Sequence, residues 1–552
     1  MDELTQGDLP GSGRKAGNHK ERKDDEMKTR QKSENPVVPD PGGNSRGTRV
    51  FRHHGGGKEV PVKEVGQQLT LFFATAENPR TSPGTEGARN GDRSPSRARK
   101  EPKAKVIPKE AVPARMEEVV ERLEMAFEKV AANKGAPGPD RQTVAQVRLH
   151  LPAVLEALRL SLLEGSYIPG DIRRVWIPKS GGGQRGLGIP NVVDRVVQEA
   201  VRSVLEPLYE PTFHASSHGF RPNRSCQTAI AEARSYVEGG YLWVVDLDLE
   251  KFFDRVPHQR LMARLALRVE DRRLLGLIGQ MLKAKVVLPE GMKVRTEEGV
   301  PQGGPLSPLL SNIVLSELDE ELARRGHRFV RYADDCNIYV RSERAGERVM
   351  GSVVSFIEGR LRLKVNQAKS AVARPETRHF LGYRLLPVVG GAAEVLLSER
   401  SESRLRERIL ELTPRNRGWS LTSVIGEINS YMNGWFGHFR VCTRRIEPVL
   451  QRMDGHIRRR LRAFILQQWK TKKTIVRRLI ELGCKRKTVW QRIYEGRKSL
   501  WALSHLLIVE RGLRNAYIAS QGFISLKVRF EAVWESLPAS RQLTLFGRYP
   551  RS

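Results

Sequence analysis

The tetrapeptide Tyr332-Ala333-Asp334-Asp335 constrains this chain more than any other stretch. It lies between the apolar runs 329–330 and 338–340, and this pattern predicts a β-hairpin with two adjacent carboxylates at its tip. Two acidic groups held together repel each other unless a cation lies between them, and Mg²⁺ favours carboxylate and phosphate oxygens. Taken alone, the tetrapeptide favours an ordinary turn, since Asp is a good turn residue. A metal site therefore needs support from elsewhere in the chain.

A second strand is predicted in the segment 243–254, where Asp246 and Asp248 alternate with apolar side chains. The period of two places both aspartates on one face of the strand. Asp248 can join Asp334 and Asp335 to hold two metal ions, one activating an attacking 3′-hydroxyl and the other stabilising a leaving pyrophosphate. The sequence therefore indicates a nucleotidyl-transfer site that only folding assembles.

Residues 299–308 read Gly-Val-Pro-Gln-Gly-Gly-Pro-Leu-Ser-Pro and precede the apolar run 309–315. Gly303 and Gly304 allow close approach of the backbone to a ligand, and the amide of Gln302 can hydrogen-bond a base or sugar edge. The alternative is a turn before a buried helix, which fits any globular protein.

Three motifs in this order resemble the palm motifs of reverse transcriptases: Asp-Leu-Glu-Lys-Phe-Phe-Asp (248–254), Pro-Gln-Gly-Gly-Pro-Leu-Ser-Pro (301–308) and Tyr-Ala-Asp-Asp (332–335). The neighbouring segments narrow the resemblance to group II intron reverse transcriptase/maturases, over roughly residues 115–530. These segments are Asn-Lys-Gly-Ala-Pro-Gly (133–138), Arg-Arg-Val-Trp-Ile-Pro-Lys (173–179), Arg-Gly-Leu-Gly-Ile-Pro (185–190), His-Gly-Phe-Arg-Pro-Asn-Arg-Ser (218–225), Leu-Lys-Val-Asn-Gln-Ala-Lys-Ser (363–370) and Phe-Leu-Gly-Tyr (380–383).

The resemblance implies an α+β fold, with the fingers and palm of a right-hand polymerase and a helical thumb/maturase domain. A disordered, basic N-terminal arm is predicted from its composition, which is rich in Gly, Pro, Ser and charged residues. The expected boundaries are 1–110 for the arm, 111–240 for the fingers with an N-terminal extension, 241–385 for the palm, 386–530 for the thumb and 531–552 for a tail.

By the same resemblance, Asp248, Asp334 and Asp335 are the catalytic residues and the ligands of two Mg²⁺ ions. Lys179 and Arg185 resemble the fingers residues that hold the incoming triphosphate, because flexible cations offset developing charge. The alternative for these two is a pair of solvated charges on a loop.

Four further residues are candidate dNTP contacts. Either Phe252 or Phe253 stacks under the deoxyribose and excludes a 2′-hydroxyl while the other packs in the core, and the spacing from Asp248 favours Phe253. Gln302 is expected beside the minor groove of the nascent pair. Lys369 is expected near the triphosphate, where it assists proton transfer to pyrophosphate; an exposed strand-end lysine is the alternative.

The formal net charge is +32, from 95 Lys and Arg against 63 Asp and Glu, which indicates a nucleic-acid binder. Aromatic and basic side chains interleave in the thumb region, a combination that suits base stacking and phosphate contact. Core packing is an equal alternative for Trp435 and Phe436, and a solvated face is the alternative for the basic run. The candidate RNA-binding residues are Arg458, Arg459, Arg460, Arg462, Lys470, Lys472 and Lys473.

The pentapeptide Gln-Leu-Thr-Leu-Phe occurs at 68–72 and again at 542–546, in polar surroundings. It resembles the binding motif of the bacterial sliding clamp, in which Leu and Phe fill an apolar pocket. Two copies on flexible arms allow avidity for a ring with several sites. A chance repeat or a short strand is the alternative. The predicted contacts are Gln68, Leu69, Leu71, Phe72, Gln542, Leu543, Leu545 and Phe546.

The four cysteines are scattered, which favours neither a disulfide framework nor a zinc site. The paired cysteines of the HNH endonuclease found in many relatives are missing, so we expect no target-strand nicking. No run of eighteen apolar residues predicts a membrane span, and the acidic N-terminus is unlike a signal peptide. A prokaryotic cytoplasm, with nucleoid association during DNA synthesis, is the expected setting.

The predicted function is RNA-directed DNA polymerisation combined with binding of group II intron RNA that promotes splicing and mobility. The partners are the intron RNA, an RNA template and target DNA. A free-standing reverse transcriptase in DNA repair or defence is one alternative, and a splicing-only RNA-binding maturase is another. Intact catalytic aspartates count against the splicing-only alternative, because such a protein does not need them.

Overall fold

The computed structural model describes residues 114–178, 183–414, 418–496 and 498–536, and all of them fall in one compact unit. The predicted N-terminal arm, both clamp-like pentapeptides and Lys179 lie outside these residues. The described part begins with the helices α1 (Met116–Glu121), α2 (Leu123–Ala132), α3 (Val144–Leu149) and α4 (Leu151–Glu164). Thr143 begins α3 by accepting from the Gln146 amide, while the Gln146 side chain accepts from Thr143.

The fingers sheet is built from two distant parts of the chain. Its strands are β1 (Ile172–Pro178), β2 (Gln184–Ile189), β4 (Val286–Val287) and β5 (Lys293–Val294), in the order β2-β1-β4-β5. β1 pairs antiparallel with β2 and parallel with β4, where Ile172 lies opposite Val286. α5 (Val192–Tyr209) follows β2 and packs on α2. Residues inside the range predicted for the palm thus complete the fingers sheet.

The palm sheet has the strand order β6-β7-β3-β8 and carries the candidate site. Its strands are β3 (Trp243–Leu247), β6 (Arg328–Tyr332), β7 (Asp335–Val340) and β8 (Ala371–Ala373). Apolar residues of β3 and β7, such as Val245 and Ile338, are fully buried against the helices. The surrounding helices are α6 (Cys226–Glu238), α7 (His258–Ala266), α8 (Arg272–Leu282), α9 (Ser307–Arg324) and α10 (Glu343–Phe356).

Helices dominate the C-terminal part, after a two-stranded sheet of β9 (Tyr383–Leu386) and β10 (Glu394–Leu397). The thumb helices are α11 (Glu399–Leu412), α12 (Leu421–Phe439) and α13 (Glu447–Trp469). Six more follow: α14 (Lys472–Glu481), α15 (Arg486–Tyr494), α16 (Leu500–Leu503), α17 (Leu507–Gly512), α18 (Asn515–Ser520) and α19 (Leu526–Ser536). Helices α14 to α17 share a separate small apolar core.

The predicted α+β class is confirmed, with mixed sheets followed by a helical region. The predicted hairpin is present, and the strand predicted in the segment 243–254 ends at Leu247. Among the described helices, none is both long enough and apolar enough to cross a membrane.

Candidate active site

The hairpin of β6 and β7 presents Asp334 and Asp335 at its tip. Tyr332 and Asp335 are the last paired residues, so Ala333 and Asp334 alone form the turn. Ala333 has a φ of 56°, in the left-handed region that residues with a Cβ adopt at a cost. Asp334 is half-buried and Asp335 is exposed. The turn that places the two carboxylates side by side therefore includes a strained backbone conformation at Ala333.

Asp248 lies directly after β3, beside this tip. The antiparallel register pairs Leu247 with Cys336, which places the next residue, Asp248, level with Asp335. Asp248 is fixed by its amide, which donates to Ser370 Oγ at 3.0 Å, and by its carbonyl, which accepts from Asn366 at 2.8 Å. The sheet register thus brings the three predicted carboxylates to one end of the palm sheet.

The carboxylates raise each other's pKa. Although Asp335 keeps surface accessible to solvent, the protein atoms around its carboxyl group displace water and raise its pKa to about 7, and the charges of Asp334, Asp246 and Asp248 contribute to the rise. Burial also raises the pKa of Asp334, with a further rise from Asp248, whereas the charges of Arg185 and Arg331 oppose it. Asp335 keeps part of its surface exposed, which leaves a route for a cation. The charged form of this group is therefore costly until a cation binds.

The residues present fit a divalent cation in their chemistry, since carboxylate oxygens are the ligands that hard cations prefer. Within the described ranges, however, no group of three acidic, histidine or cysteine side chains is already gathered in ligand geometry. The sequence matches the reverse transcriptase family, whose members generally use divalent metal ions.

Asp246, the aspartate within β3, forms an ion pair with an arginine. Arg378 donates to Asp246 Oδ2 from Nε at 2.8 Å and from Nη2 at 2.5 Å, and Nη2 also donates to the Lys369 carbonyl at 2.8 Å. Asp246 therefore pairs with an arginine, whereas the cation beside Asp248 is Lys369. Sequence reasoning missed Arg378, because it lies 132 residues from Asp246.

Lys369, predicted near the triphosphate, lies beside Asp248. Its Nζ is 3.5 Å from Asp248 Oδ2, and its side chain is 67% exposed. Arg185 is also exposed, on β2, and its charge acts on Asp334. Both cations are thus free to contact an anionic ligand in front of the aspartates.

The two adjacent phenylalanines have different environments. Phe252 is 2% exposed and belongs to the main apolar core, while Phe253 is half-buried and packs against the edge of Phe252, 5.3 Å between ring centroids. A dNTP contact by Phe252 is therefore wrong, since its ring is enclosed by protein. Phe253 retains surface that a sugar can contact.

The glycine-rich loop lies against the fingers strand β2. The Gly188 amide donates to the Gln302 carbonyl at 2.7 Å, and a Cβ on Gly303 would lie 2.5 Å from the Gly188 carbonyl oxygen. Gly303 has a φ of 130°, so both space and conformation require glycine here. Gln302 is half-buried in this loop.

Two arginines of the predicted RNA-binding run are structural. Arg460 is buried and donates to the side chain and carbonyl of Thr413. Arg462 is buried and donates to the Leu513 carbonyl at 3.0 Å and to Glu510 at 3.1 Å. Their assignment as RNA contacts is therefore wrong, because their guanidinium groups are used inside the thumb.

The other basic candidates remain on the surface. Arg459, Lys470 and Lys473 are exposed, and Arg458 and Lys472 are half-buried. Trp435 and Phe436, for which packing was the alternative, are 8% exposed each and belong to the thumb core. The thumb thus keeps a basic surface without these two aromatic rings.

Two family models match this chain. Residues 177–385 match the reverse transcriptase (RNA-dependent DNA polymerase) family, and residues 403–480 match the group II intron maturase-specific domain. The first match contains the three aspartates, and the second covers helices of the thumb.

Curated relatives agree with these matches. Protein YkfC of Escherichia coli is 33% identical over 54% of this chain and 86% of its own length. The group II intron-encoded protein LtrA of Lactococcus lactis is 42% identical over 31% of this chain and 28% of its own length. A putative COX1/OXI3 intron 2 protein of Saccharomyces cerevisiae is 28% identical over 74% of this chain and 49% of its own length. The chain therefore belongs to the group II intron reverse transcriptase/maturase family, whose enzymes are RNA-directed DNA polymerases.

Proposed function

We propose that Asp248, Asp334 and Asp335 hold two Mg²⁺ ions and that this protein extends a DNA primer on an RNA template. When bound, such ions activate the primer 3′-hydroxyl and stabilise the leaving pyrophosphate. The register between β3 and β7, which brings Asp248 level with Asp335, is the observation that carries the proposal.

The neighbouring side chains supply binding and orientation. Arg185 contacts the triphosphate from the fingers side, and Lys369, beside Asp248, donates a proton to the departing pyrophosphate. Phe253 lies under the deoxyribose and rejects a 2′-hydroxyl by contact. Gln302 contacts the nascent base pair from the loop that joins fingers and palm. Lys179 is proposed as a second triphosphate contact from the sequence alone.

Primer extension on an RNA template in Mg²⁺ tests the catalytic assignment. Asp334→Asn removes one charge with little change in volume, and we expect a loss of at least ~10³-fold in kcat, comparable to losing a main electrostatic contributor. Glu156→Gln is the matched control, because Glu156 is an exposed carboxylate of α4 paired with Arg159. Synthesis by Asp334→Asn at the rate of the control would overturn the assignment.

We propose further that the basic thumb surface binds intron RNA and promotes splicing by favouring the compact RNA. Arg459 and Lys473 are exposed candidates on α13 and α14. The Arg459→Ala/Lys473→Ala variant is expected to weaken RNA binding and to reduce the salt slope by about two, one for each lost phosphate contact. Arg324→Ala is the control, since Arg324 is an exposed palm arginine paired with Glu321. An unchanged slope would contradict this surface.

DNA synthesis and RNA binding use different surfaces in this proposal, so a substitution that removes one activity is expected to leave the other. Asp334→Asn is expected to abolish DNA synthesis and to leave RNA binding and splicing intact. The second candidate function is that of a free-standing reverse transcriptase. The two candidates are distinguished by the DNA around the gene, because group II intron sequence flanking the reading frame would count against a free-standing enzyme. Target DNA is the proposed acceptor in mobility.

The repeated pentapeptide supports a proposed contact with the bacterial sliding clamp, which would direct the enzyme to replicating DNA in the nucleoid. Both copies share Leu and Phe anchors in polar surroundings. Purified clamp is expected to bind the full chain and to lose affinity for Phe72→Ala/Phe546→Ala. Thr70→Ala/Thr544→Ala is the matched control within the same motifs. Equal affinity of both variants would refute clamp binding.

A further inference from the structure

A fully buried arginine lies directly behind the catalytic turn. Arg331, on β6, is 0% exposed, and its Nε and Nη2 donate to the two carboxylate oxygens of Asp319 at 2.7 and 2.6 Å. Asp319, on α9, is 1% exposed. A buried ion pair adds little stability over packed apolar side chains. Stability alone therefore does not account for a charge pair in this position.

The remaining donors of the same guanidinium reach the turn and its surroundings. Nη1 donates to the Ala333 carbonyl at 2.8 Å and to Asn312 Oδ1 at 3.0 Å, and Nη2 donates to Ser217 Oγ at 2.7 Å. The planar fork fixes these directions once Asp319 holds the other edge. Ala333 is the turn residue with the strained backbone, so the guanidinium group hydrogen-bonds to the residue whose conformation is costly and stabilises it.

A second segment encloses the turn from the other side. The Asn312 side chain donates to the Gly219 carbonyl at 2.8 Å, and a Cβ on Gly219 would collide with the Ala333 amide nitrogen. The backbones run together as well, since the His218 amide donates to the Arg331 carbonyl at 2.8 Å. Gly219 thus lies in direct contact with the turn that Arg331 supports.

We propose that Arg331 is a positioning residue, which together with Asp319 and Gly219 fixes the Ala333 turn and so sets where Asp334 and Asp335 lie. It does not touch substrate. This inference rests on the proposed polymerase function. Its physical basis is that catalytic groups displaced by about 1 Å cost about 100-fold in rate even when the fold is kept.

The main test is the double variant Arg331→Met/Asp319→Leu, which replaces the ion pair with apolar side chains of similar length. The ion pair itself adds little net stability, but the Ala333 carbonyl, Asn312 and Ser217 lose a hydrogen-bond donor, so we expect a folded protein with a moderately lower urea midpoint than the wild type. The kcat for primer extension is expected to fall about 100-fold, while KM for dNTP changes little, because Arg185 and Phe253 are untouched. Affinity for Mn²⁺ without substrate, measured from the free-ion electron paramagnetic resonance signal, is expected to weaken.

Wild-type kcat and Mn²⁺ affinity in this variant would overturn the inference and leave the polymerase function standing. A wild-type protein without polymerase activity would instead refute the proposed function. If the double variant fails to fold, Gly219→Ala provides the same test from the opposite side of the turn without changing the ion pair. We expect it to lower kcat and weaken Mn²⁺ binding while RNA binding is kept, and a fully active Gly219→Ala would overturn the inference.

Discussion

Arg378→Met removes the cation that neutralises Asp246 beside the catalytic carboxylates. The side chains of the pair are 27% and 20% exposed, and two hydrogen bonds join them. Leaving one partner of a fully buried pair alone costs about 3–5 kcal/mol, and the remaining exposure lowers our expectation to about 2 kcal/mol. The loop that carries Lys369 also loses a hydrogen bond to its backbone. We therefore expect lower stability and lower kcat together.

A double-mutant cycle with Asp246→Asn measures this interaction. Asparagine needs no counter-charge, so Arg378→Met in the Asp246→Asn background is expected to cost about 1.5 kcal/mol less than in the wild type. Unfolding in urea gives the stabilities, and primer extension gives kcat. Part of the activity is expected to return in the double variant, because no unpaired charge then lies beside Asp335.

The control for this cycle is Arg159→Met, which breaks an exposed ion pair with Glu156 on α4. Exposed pairs of this kind contribute at most about 0.5 kcal/mol. If the effects of Arg378→Met and Asp246→Asn add to within about 0.5 kcal/mol, the two residues are not coupled and the reasoning fails.

Three further predictions follow from individual residues. In metal-free protein the pKa of Asp335 is raised to about 7, so the native state binds a proton that the unfolded chain has released, and stability falls as pH rises from about 4 to 7. Asp335→Asn should flatten this part of a urea-midpoint profile. Phe253→Val should raise the ratio of ribonucleotide to deoxyribonucleotide incorporation in single-nucleotide extension, whereas Phe252→Val should lower the urea midpoint without this change; the same ratio in both variants would refute the distinction. Gly303→Ala should reduce primer extension because of its φ of 130° and the nearby Gly188 carbonyl. Gly351→Ala, in open space on α10, should instead stabilise the protein by about 1 kcal/mol, and equal activity of the two glycine variants would contradict the loop argument.

Local patterns predicted the hairpin and its carboxylates, because the alternation of apolar residues and the turn lie within a few positions of each other. The partner of Asp246 was not predictable, since Arg378 reaches it only through the fold. By contrast, the sequence did contain an indication that some arginines of the basic run, such as Arg460 and Arg462, are buried. An α-helix has 3.6 residues per turn, so four arginines within residues 458–462 cannot all lie on one solvent-exposed face.

Likewise, the period of two placed Asp246 and Asp248 on one face of the predicted strand, but it contained no information about which cation lies beside which aspartate. The fold supplies that distinction, through Arg378 for Asp246 and the exposed Lys369 for Asp248. Phe252 and Phe253 illustrate the same limit, because adjacent residues of similar chemistry differ only in the direction in which the backbone turns them.

The parallel pairing of β1 with β4 has a consequence for biosynthesis. The fingers sheet needs residue 286 opposite residue 172, so its strands can meet only after the chain has been synthesised to residue 286, which lies inside the range predicted for the palm. Domains fold as units during translation, and the fingers sheet of this protein can therefore form only after part of the palm sequence has left the ribosome. A gene fragment cut at the apparent boundary near residue 240 should consequently yield an aggregation-prone polypeptide with an unpaired sheet edge rather than an independent module.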